Sequence, residues 1–366
     1  MISSRQKDNT KFLAEVIAGM RSMPPSIPCK YLYDARGSAL FEAICRSEDY
    51  YVTRADLALH ECHMSEISDR IGPEAHIIEF GSGSGIKTRR LLESLERPRA
   101  YTPIEISAAA LDASVRDLRR ELPHIEILPL QADYTKDIPD RHFRLDPPAR
   151  RRVVYFPGST IGNFDHDEAI GFLGRMRNII DGAGAVLIGV DLLKPESRLL
   201  RAYDDREGIT AEFNRNLLVR MRRELNARID VDAFRHETRF NRELSRIEMH
   251  LVASRATRIE IGEHRFEFDA GDSIHTESSY KYTVDGFRKL GAKAGLESLK
   301  VWTDPDELFS MHWLETGDGR RERERKTRLV PLPYLLPPFH LLPLYPAVGG
   351  GSGSAPRPDL RRRALR

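Results

Sequence analysis

The chain has 366 residues, enough to bury a large core and to divide into two domains. Apolar residues make up 40% and charged residues 31%, the proportions of a globular protein, and the lack of any apolar run of 18 residues argues against a helical membrane span. The net charge of +2 is uneven: residues 317–366 hold eleven Lys/Arg against four Asp/Glu, which leaves about −5 elsewhere, so the basicity belongs to a tail and does not describe a nucleic-acid-binding face. The N-terminal MISSRQKDNTKF lacks the apolar core of a secretion signal, and Cys29, Cys45 and Cys62 form no C-x-x-C pair and leave one over in any disulfide scheme. These features predict reduced thiols in a cytoplasmic protein with no metal site.

In chain order, residues 10–21 place Phe12, Leu13, Val16, Ile17 and Met20 at helical spacing. SMPPSIPCKYLYD then breaks the helix with prolines, and 37–45 and 53–71 read as helices again. From 76 to 193 apolar strands alternate with helices: strands at 76–80, 101–106, 125–130, 152–156 and 185–192, helices at 87–95, 108–122 and 167–181. That alternation predicts an α/β fold with a parallel, doubly wound sheet and ligands at the carboxyl ends of its strands. A long helix is expected at 197–225, then short strands at 237–240, 246–253, 257–261 and 266–269, which interrupt the α/β pattern as a second, α+β part. A last helix at 284–296 and a hairpin of 296–303 with 308–314 close the pattern. RRERERK, PLPYLLPPFHLLPLYP and GGGSGSAPRP follow, a charged, proline-rich and linker-like tail expected to be disordered.

The run HIIEFGSGSGIKT is the most informative. Glycines at 81, 83 and 85 allow a sharp turn and close approach of a ligand to the backbone, and acidic Glu79 suits a cationic ligand better than a pyrophosphate. Ile86 stands where a dinucleotide motif would place its third glycine, which argues against an NAD-dependent dehydrogenase. The G-x-G-x-G pattern resembles the first motif of class I S-adenosylmethionine (SAM) methyltransferases. In such a site Glu105, ending the second strand, is placed for the ribose diol, and Asp133, after the third, for the adenine edge. FPGSTIGNF ends the fourth strand with glycines, Ser159, Thr160 and Asn163, where a methyl acceptor would lie. Asp146-Pro147-Pro148-Ala149 precedes that strand and lacks an aromatic, so it reads as a loop breaker and weakens the case for a base methylase. Glu277 and Ser279 are two apart, so an extended backbone turns both to one side, where carboxylate and hydroxyl can grip an N–H group.

Across about residues 10 to 315, the ordered blocks KYLYDARGSALFEAI, EDYYVTR, EFGSGSGIKT, FPGSTIGN, DLLK, AYDDREGITAEFNRN, RIEMHL, HTESSYKY and VWTDP resemble the histidine-specific SAM-dependent methyltransferases, which make trimethylhistidine (hercynine) for ergothioneine biosynthesis. The resemblance implies a class I methyltransferase domain at 56–193 and 282–315 and a substrate-binding domain at 8–55 and 194–281, with 316–366 as an added tail. It implies that Gly81, Gly83, Lys87, Glu105 and Asp133 bind SAM. It also implies that Asn163 and Tyr203 bind the histidine carboxylate, that Tyr33 and the Gly158 backbone sit near the amine, and that Tyr50, Glu277 and Ser279 read the imidazole, with Phe213 and Met249 shaping the pocket. No dedicated base is evident; Tyr33 could assist through water. The expected partner is a small amino acid, with no nucleic acid, membrane or obligate protein partner, acting on a monomer. Rival readings are an Nα-methyltransferase for another amino acid such as tryptophan or for a small amine, and a non-catalytic SAM-fold module.

Overall fold

The computed structural model describes residues 4–81, 85–106, 108–180 and 182–317. Gly83 and the expected tail from 318 onward lie outside these residues. The first part is helical, with α1 (Ser4–Met20), α2 (Ala35–Arg46) and α3 (Tyr51–Ile71). The α/β series follows: β1 (Ala75–Phe80), α4 (Ile86–Ser94), β2 (Ala100–Glu105), α5 (Ala108–Glu121), β3 (Glu126–Ile127), β4 (Leu130–Gln131), β5 (Arg151–Phe156), α6 (His166–Ile180) and β6 (Ala185–Asp191). Then come α7 (Glu196–Tyr203), α8 (Ile209–Leu225) and β7 (Arg228–Ile229). Next are β8 (Phe234–Asn241), β9 (Arg246–Ala253), β10 (Thr257–Ile261), β11 (His264–Phe268) and β12 (Ser273–Tyr280). The chain closes with α9 (Val284–Lys293), β13 (Leu296–Thr303) and β14 (Phe309–Thr316).

The main sheet runs β13-β14-β6-β5-β1-β2-β3, with β4 also beside β2. β1, β2, β5 and β6 pair in parallel, while β14 enters antiparallel to β6 and to its hairpin partner β13. Every residue of β1 is buried, as a strand covered on both faces requires. Successive side chains alternate between two cores. Ile77, Val153 and Leu187 pack with Leu91, Leu92, Ile67 and Ile71. Ile78, Val154 and Ile188 pack with Phe172 and Met176 of α6 and Phe287 and Leu290 of α9. The remaining strands form two antiparallel sheets, β11-β10-β7 and β12-β9-β8.

Three details differ from the pattern read in the sequence. The expected helix over 197–225 is two helices: the Asp205 carboxylate accepts the Ile209 and Thr210 amides (2.9 and 2.7 Å), and Gly208 turns at φ +73° to start α8. The third strand splits in two around Pro129, which has no N–H for a ladder. The segment around Glu277 is a full strand, β12, with an irregularity in register between His275 and Glu277.

Candidate active site

Because β1 lies between β2 and β5, the turns after β1, β2, β4 and β5 share one edge of the sheet. Gly81 follows β1 at φ +71°, donates its amide to the Ile104 carbonyl (2.9 Å), and a Cβ there would lie 3.6 Å from the Tyr134 ring. Glu105 ends β2 and accepts the Ile106 amide at 2.8 Å. Asp133 lies just past β4; it accepts Thr135 Oγ1 at 2.5 Å and approaches Lys11 Nζ at 3.4 Å. Glu79 takes an inward role. It is 1% exposed, and its oxygens accept Thr88 Oγ1 at 2.8 Å and the Tyr101 hydroxyl at 2.5 Å. Burial pushes its carboxyl up to about 7, against these hydrogen bonds. Glu79 therefore anchors the start of α4, and the cationic ligand that its position in the sequence suggested does not account for its contacts.

Lys87, one residue into α4, places its ammonium 2.6 Å from Asp56 Oδ2. The same oxygen accepts the Gly158 amide at 3.0 Å. Gly158 adopts φ +78°, and a Cβ there would lie 3.3 Å from Lys87 Nζ. With its N–H committed to Asp56, Gly158 has only its carbonyl to offer a substrate. Asp56 is fully buried on α3 beside His60, whose Nε2 lies 2.7 Å from the Tyr155 hydroxyl. One carboxylate thus joins the start of α4 to the turn after β5.

The second half of the site is carried by β12. After the register irregularity, residues 277, 279 and 281 share one side of the extended chain, and Glu277, Ser279 and Lys281 are all buried. The pair of β12 with α8 is fixed by Asn214, which accepts Thr276 Oγ1 at 2.7 Å and donates to the His250 carbonyl at 3.1 Å. Met249 stands opposite Glu277 in the β9–β12 register. Ser279 Oγ lies 2.7 Å from the Tyr203 hydroxyl at the end of α7. Gly162 brings the one-turn 3-10 helix Thr160–Asn163 against this strand: a Cβ there would lie 2.9 Å from the Tyr280 carbonyl and 3.5 Å from Ser279 Oγ. That closeness brings the turn that carries Asn163 against β12.

Glu277 Oε2 has no hydrogen-bond partner among the described residues, although the residue is only 8% exposed. Burial pushes its carboxyl up to about 7, with Lys281 pulling the other way. Aromatic rings stand nearby. Tyr33 meets Phe41 and Phe213 edge-on (5.5 and 5.4 Å between centroids), Phe41 meets Tyr50 at 6.3 Å, and Tyr50 meets Tyr203 at 5.9 Å. Tyr33 is held just before α2. Asp34 caps that helix through the Gly37 amide (2.7 Å), and Gly37 is required because a Cβ would lie 1.8 Å from the Leu32 carbonyl. Tyr33 keeps 38% exposure, the most open of this group. Desolvation along the wall and the Glu277 charge push its phenol well up, so it is a neutral hydrogen-bonding group and not a phenolate base.

The structure thus brings Tyr33, Tyr50, Tyr203, Phe213, Met249, Glu277 and Ser279 into one neighbourhood, with Gly158 and Asn163 on the adjoining turn. Sequence reasoning missed Asp56, Asp191 and Lys281. Lys281 had a signal, since it continues the two-residue spacing of Glu277 and Ser279. Asp191, which ends β6 and pairs with Lys281 at 2.7 Å, showed only its nearby Lys194 in the DLLK block, and Asp56 only its nearby His60; the partners that matter here, Lys281 for Asp191 and Lys87 and Gly158 for Asp56, lie far away in the chain. Among the described residues, no group of three or more His, Cys, Asp or Glu is placed to hold a metal ion, and no helix is long and apolar enough to cross a membrane.

A parallel sheet with its crossover at β1 and β5, and one antiparallel strand, β14, inserted beside an edge hairpin partner, is the architecture of the class I SAM-dependent methyltransferases. The family described as "Histidine-specific methyltransferase, SAM-dependent" matches residues 12–316, and the chain belongs to that family. The enzyme is accordingly a methyltransferase with SAM as its methyl donor. It is 37% identical over 302 residues to the histidine N-alpha-methyltransferase of Mycobacterium tuberculosis, covering 81% of this chain and 92% of that one. The corresponding protein of Mycolicibacterium smegmatis gives the same identity and coverage, 37%, 81% and 92%. Ergothioneine biosynthesis protein 1 of Neurospora crassa is 31% identical, over 80% of this chain and 33% of that longer protein.

Proposed function

We propose that this enzyme transfers methyl groups from SAM to the α-amine of L-histidine, three in succession, giving trimethylhistidine (hercynine) as the first step of ergothioneine biosynthesis. The observation that carries the reading is the buried, unpartnered Glu277 Oε2 two residues from Ser279, inside an aromatic enclosure. A buried acceptor left unpaired costs about 1–3 kcal/mol or more, so the site rewards an amino acid whose side chain brings an N–H. Imidazole does so; leucine and phenylalanine do not.

In this reading residues 56–193 and 282–315 hold SAM and residues 8–55 and 194–281 hold the amino acid. Gly81, Lys87, Glu105 and Asp133, together with Gly83 outside the described residues, would bind SAM: glycines admit close approach of the donor to the backbone, Glu105 suits a diol, and Lys87 suits a carboxylate. Asn163 and Tyr203 would take the histidine carboxylate, and Tyr50, Glu277 and Ser279 the ring. Phe213 and Met249 would shape the pocket. Tyr33 and the Gly158 carbonyl would face the amine. SAM supplies a methyl on a cationic sulfur, and the protein's part is to align the amine lone pair with it, a contribution of roughly 7–11 kcal/mol in well-aligned systems. Because Tyr33 stays protonated, it would orient the amine directly or through water while the amine proton leaves to solvent. The aromatic wall would tolerate the permanent positive charge of the trimethylated product. We read the protein as a cytoplasmic monomer acting on a free amino acid, in keeping with its free Cys29, Cys45 and Cys62.

The test is mass spectrometry of products after incubating the purified protein with SAM and the twenty amino acids. Histidine alone should gain one, two and three methyls. Methylation of tryptophan or another amino acid in its place would reject histidine as the acceptor.

A further inference from the structure

Lys281 is a fully buried cation whose three N–H donors are all spoken for. Its ammonium lies 2.8 Å from Ser279 Oγ, 2.9 Å from the Tyr203 hydroxyl and 2.7 Å from Asp191 Oδ2. Asp191 is itself held in place. It takes Lys194 at 2.5 Å and the Tyr51 hydroxyl at 2.8 Å, and its amide donates to Ser159 Oγ at 2.8 Å. Burial works against the charge on Lys281, but Asp191 and Tyr203 together more than offset it, so the ammonium persists.

The consequence is a matter of counting protons. Lys281 can only donate, so both hydroxyls accept from it. The two hydroxyls also bond each other at 2.7 Å, which uses one of their two protons. One hydroxyl proton is left for an outside acceptor, and the hydroxyl that gave its proton away can only accept. A substrate carboxylate needs a donor, and a ring N–H needs an acceptor. Ser279 shares its side of β12 with Glu277, which leaves the Tyr203 hydroxyl, on the other side of the pair, to serve the rest of the substrate.

We propose that Lys281 is a positioning residue that sets the direction of these hydrogen bonds, making Tyr203 a donor to the substrate carboxylate and Ser279 an acceptor for the ring N–H. This rests on the reading of the site as a histidine site. With Lys281 removed, both hydroxyls are free to rotate, and the discrimination between an acceptor that has a carboxylate and one that lacks it is lost.

The experiment measures binding of histidine and of histamine, which lacks the carboxylate, by calorimetry in the presence of saturating S-adenosylhomocysteine. Lys281→Met should weaken histidine by about 10- to 100-fold, the range for hydrogen bonds to charged groups, and histamine, which keeps only the ring contact to Ser279, by about tenfold less. Equal losses for both ligands, or no loss for either, would overturn the proposal; so would a full selective loss in Lys281→Met that Tyr203→Phe does not reproduce, since a lysine that merely neutralises Asp191 would act without the Tyr203 hydroxyl. Retained S-adenosylhomocysteine binding reports that the variant is folded; if Lys281→Met loses it, Lys281→Gln takes its place. Tyr203→Phe should show the same selective loss. The unaltered protein also decides: a histidine-to-histamine affinity ratio near one overturns the proposal without any variant. Failure of the unaltered protein to bind or methylate histidine at all would instead reject the acceptor reading on which the proposal rests.

Discussion

Asp56 Oδ2 receives the Lys87 ammonium at 2.6 Å and the Gly158 amide at 3.0 Å, so one buried carboxylate ties the start of α4 to the turn after β5, the segments proposed to hold SAM and the acceptor. Asp56→Asn keeps the shape and removes the charge. Loss of a hydrogen bond to a charged group costs about 1.5–3 kcal/mol, so affinity for S-adenosylhomocysteine should fall roughly 10- to 100-fold. Calorimetric titration checks this; an unchanged affinity would show that Lys87 is held by other means.

The same residue makes an acid-stability prediction. Burial tends to raise the Asp56 carboxyl, but Lys87 and His60 hold it well below the usual carboxylate range. A depressed pKa contributes stability that is present above the unfolded value of about 4 and lost as pH falls below it. The melting temperature of the unaltered protein should therefore drop more steeply than that of Asp56→Asn between pH 5 and pH 3. Parallel curves would mean that the pair contributes nothing to folding.

Glu277→Ala should lower kcat/KM for histidine by about 100-fold or more while leaving S-adenosylhomocysteine affinity within about twofold, because in the proposed site the lost acceptor serves only the amino acid. Steady-state kinetics and calorimetry read the two quantities separately. Unchanged turnover would remove Glu277 from the site.

Glu277 also predicts a pH slope of the opposite sign. Its pKa rises from 4.5 to about 7 on burial. The folded state then favours the protonated acid, so this contribution is full below about pH 4.5 and is lost as pH rises through about 7. In the amino-acid-free protein, Glu277→Gln should gain in melting temperature relative to the unaltered protein on going from pH 5 to pH 8. The difference corresponds to at most about 3 kcal/mol. A pH-independent difference would show that Glu277 keeps an ordinary pKa.

Gly162→Ala places a Cβ 2.9 Å from the backbone carbonyl of Tyr280, which cannot yield as a side chain could. Overpacking of this kind costs about 1–3 kcal/mol. The turn carrying Asn163 should move off β12, raising KM for histidine more than it lowers kcat. A KM within error of the unaltered value would separate that turn from amino-acid binding.

Much of this architecture could be read locally. The alternation of apolar strands and helices from 76 to 193 gave the parallel sheet, because burial on both faces demands continuous apolar strands, as in β1. The glycine run and the strand-end acids Glu105 and Asp133 were visible for the same reason: each depends on neighbours within a few residues. Pro129 was also visible, yet its effect of splitting the third strand was underestimated, and so was the break that Asp205 and Gly208 make in the helix over 197–225.

The two-residue spacing of Glu277 and Ser279 was enough to place them on one side of an extended segment, and the ordered motif blocks were enough to identify the family and its donor. Which of those groups were already satisfied was not written locally. Asp56 reaches Gly158 across 102 residues, and Tyr203 reaches Ser279 across 76. Lys281 becomes a charged anchor only because β6 delivers Asp191 beneath it. The sequence determined the sheet, the turn and the chemistry of each side chain, since local spacing and propensity decide those. Tertiary structure alone decided that Glu277 Oε2 has no partner among the described residues while Ser279 and Tyr203 are held by a buried cation, since burial and pairing are properties of segments brought together from opposite parts of the chain.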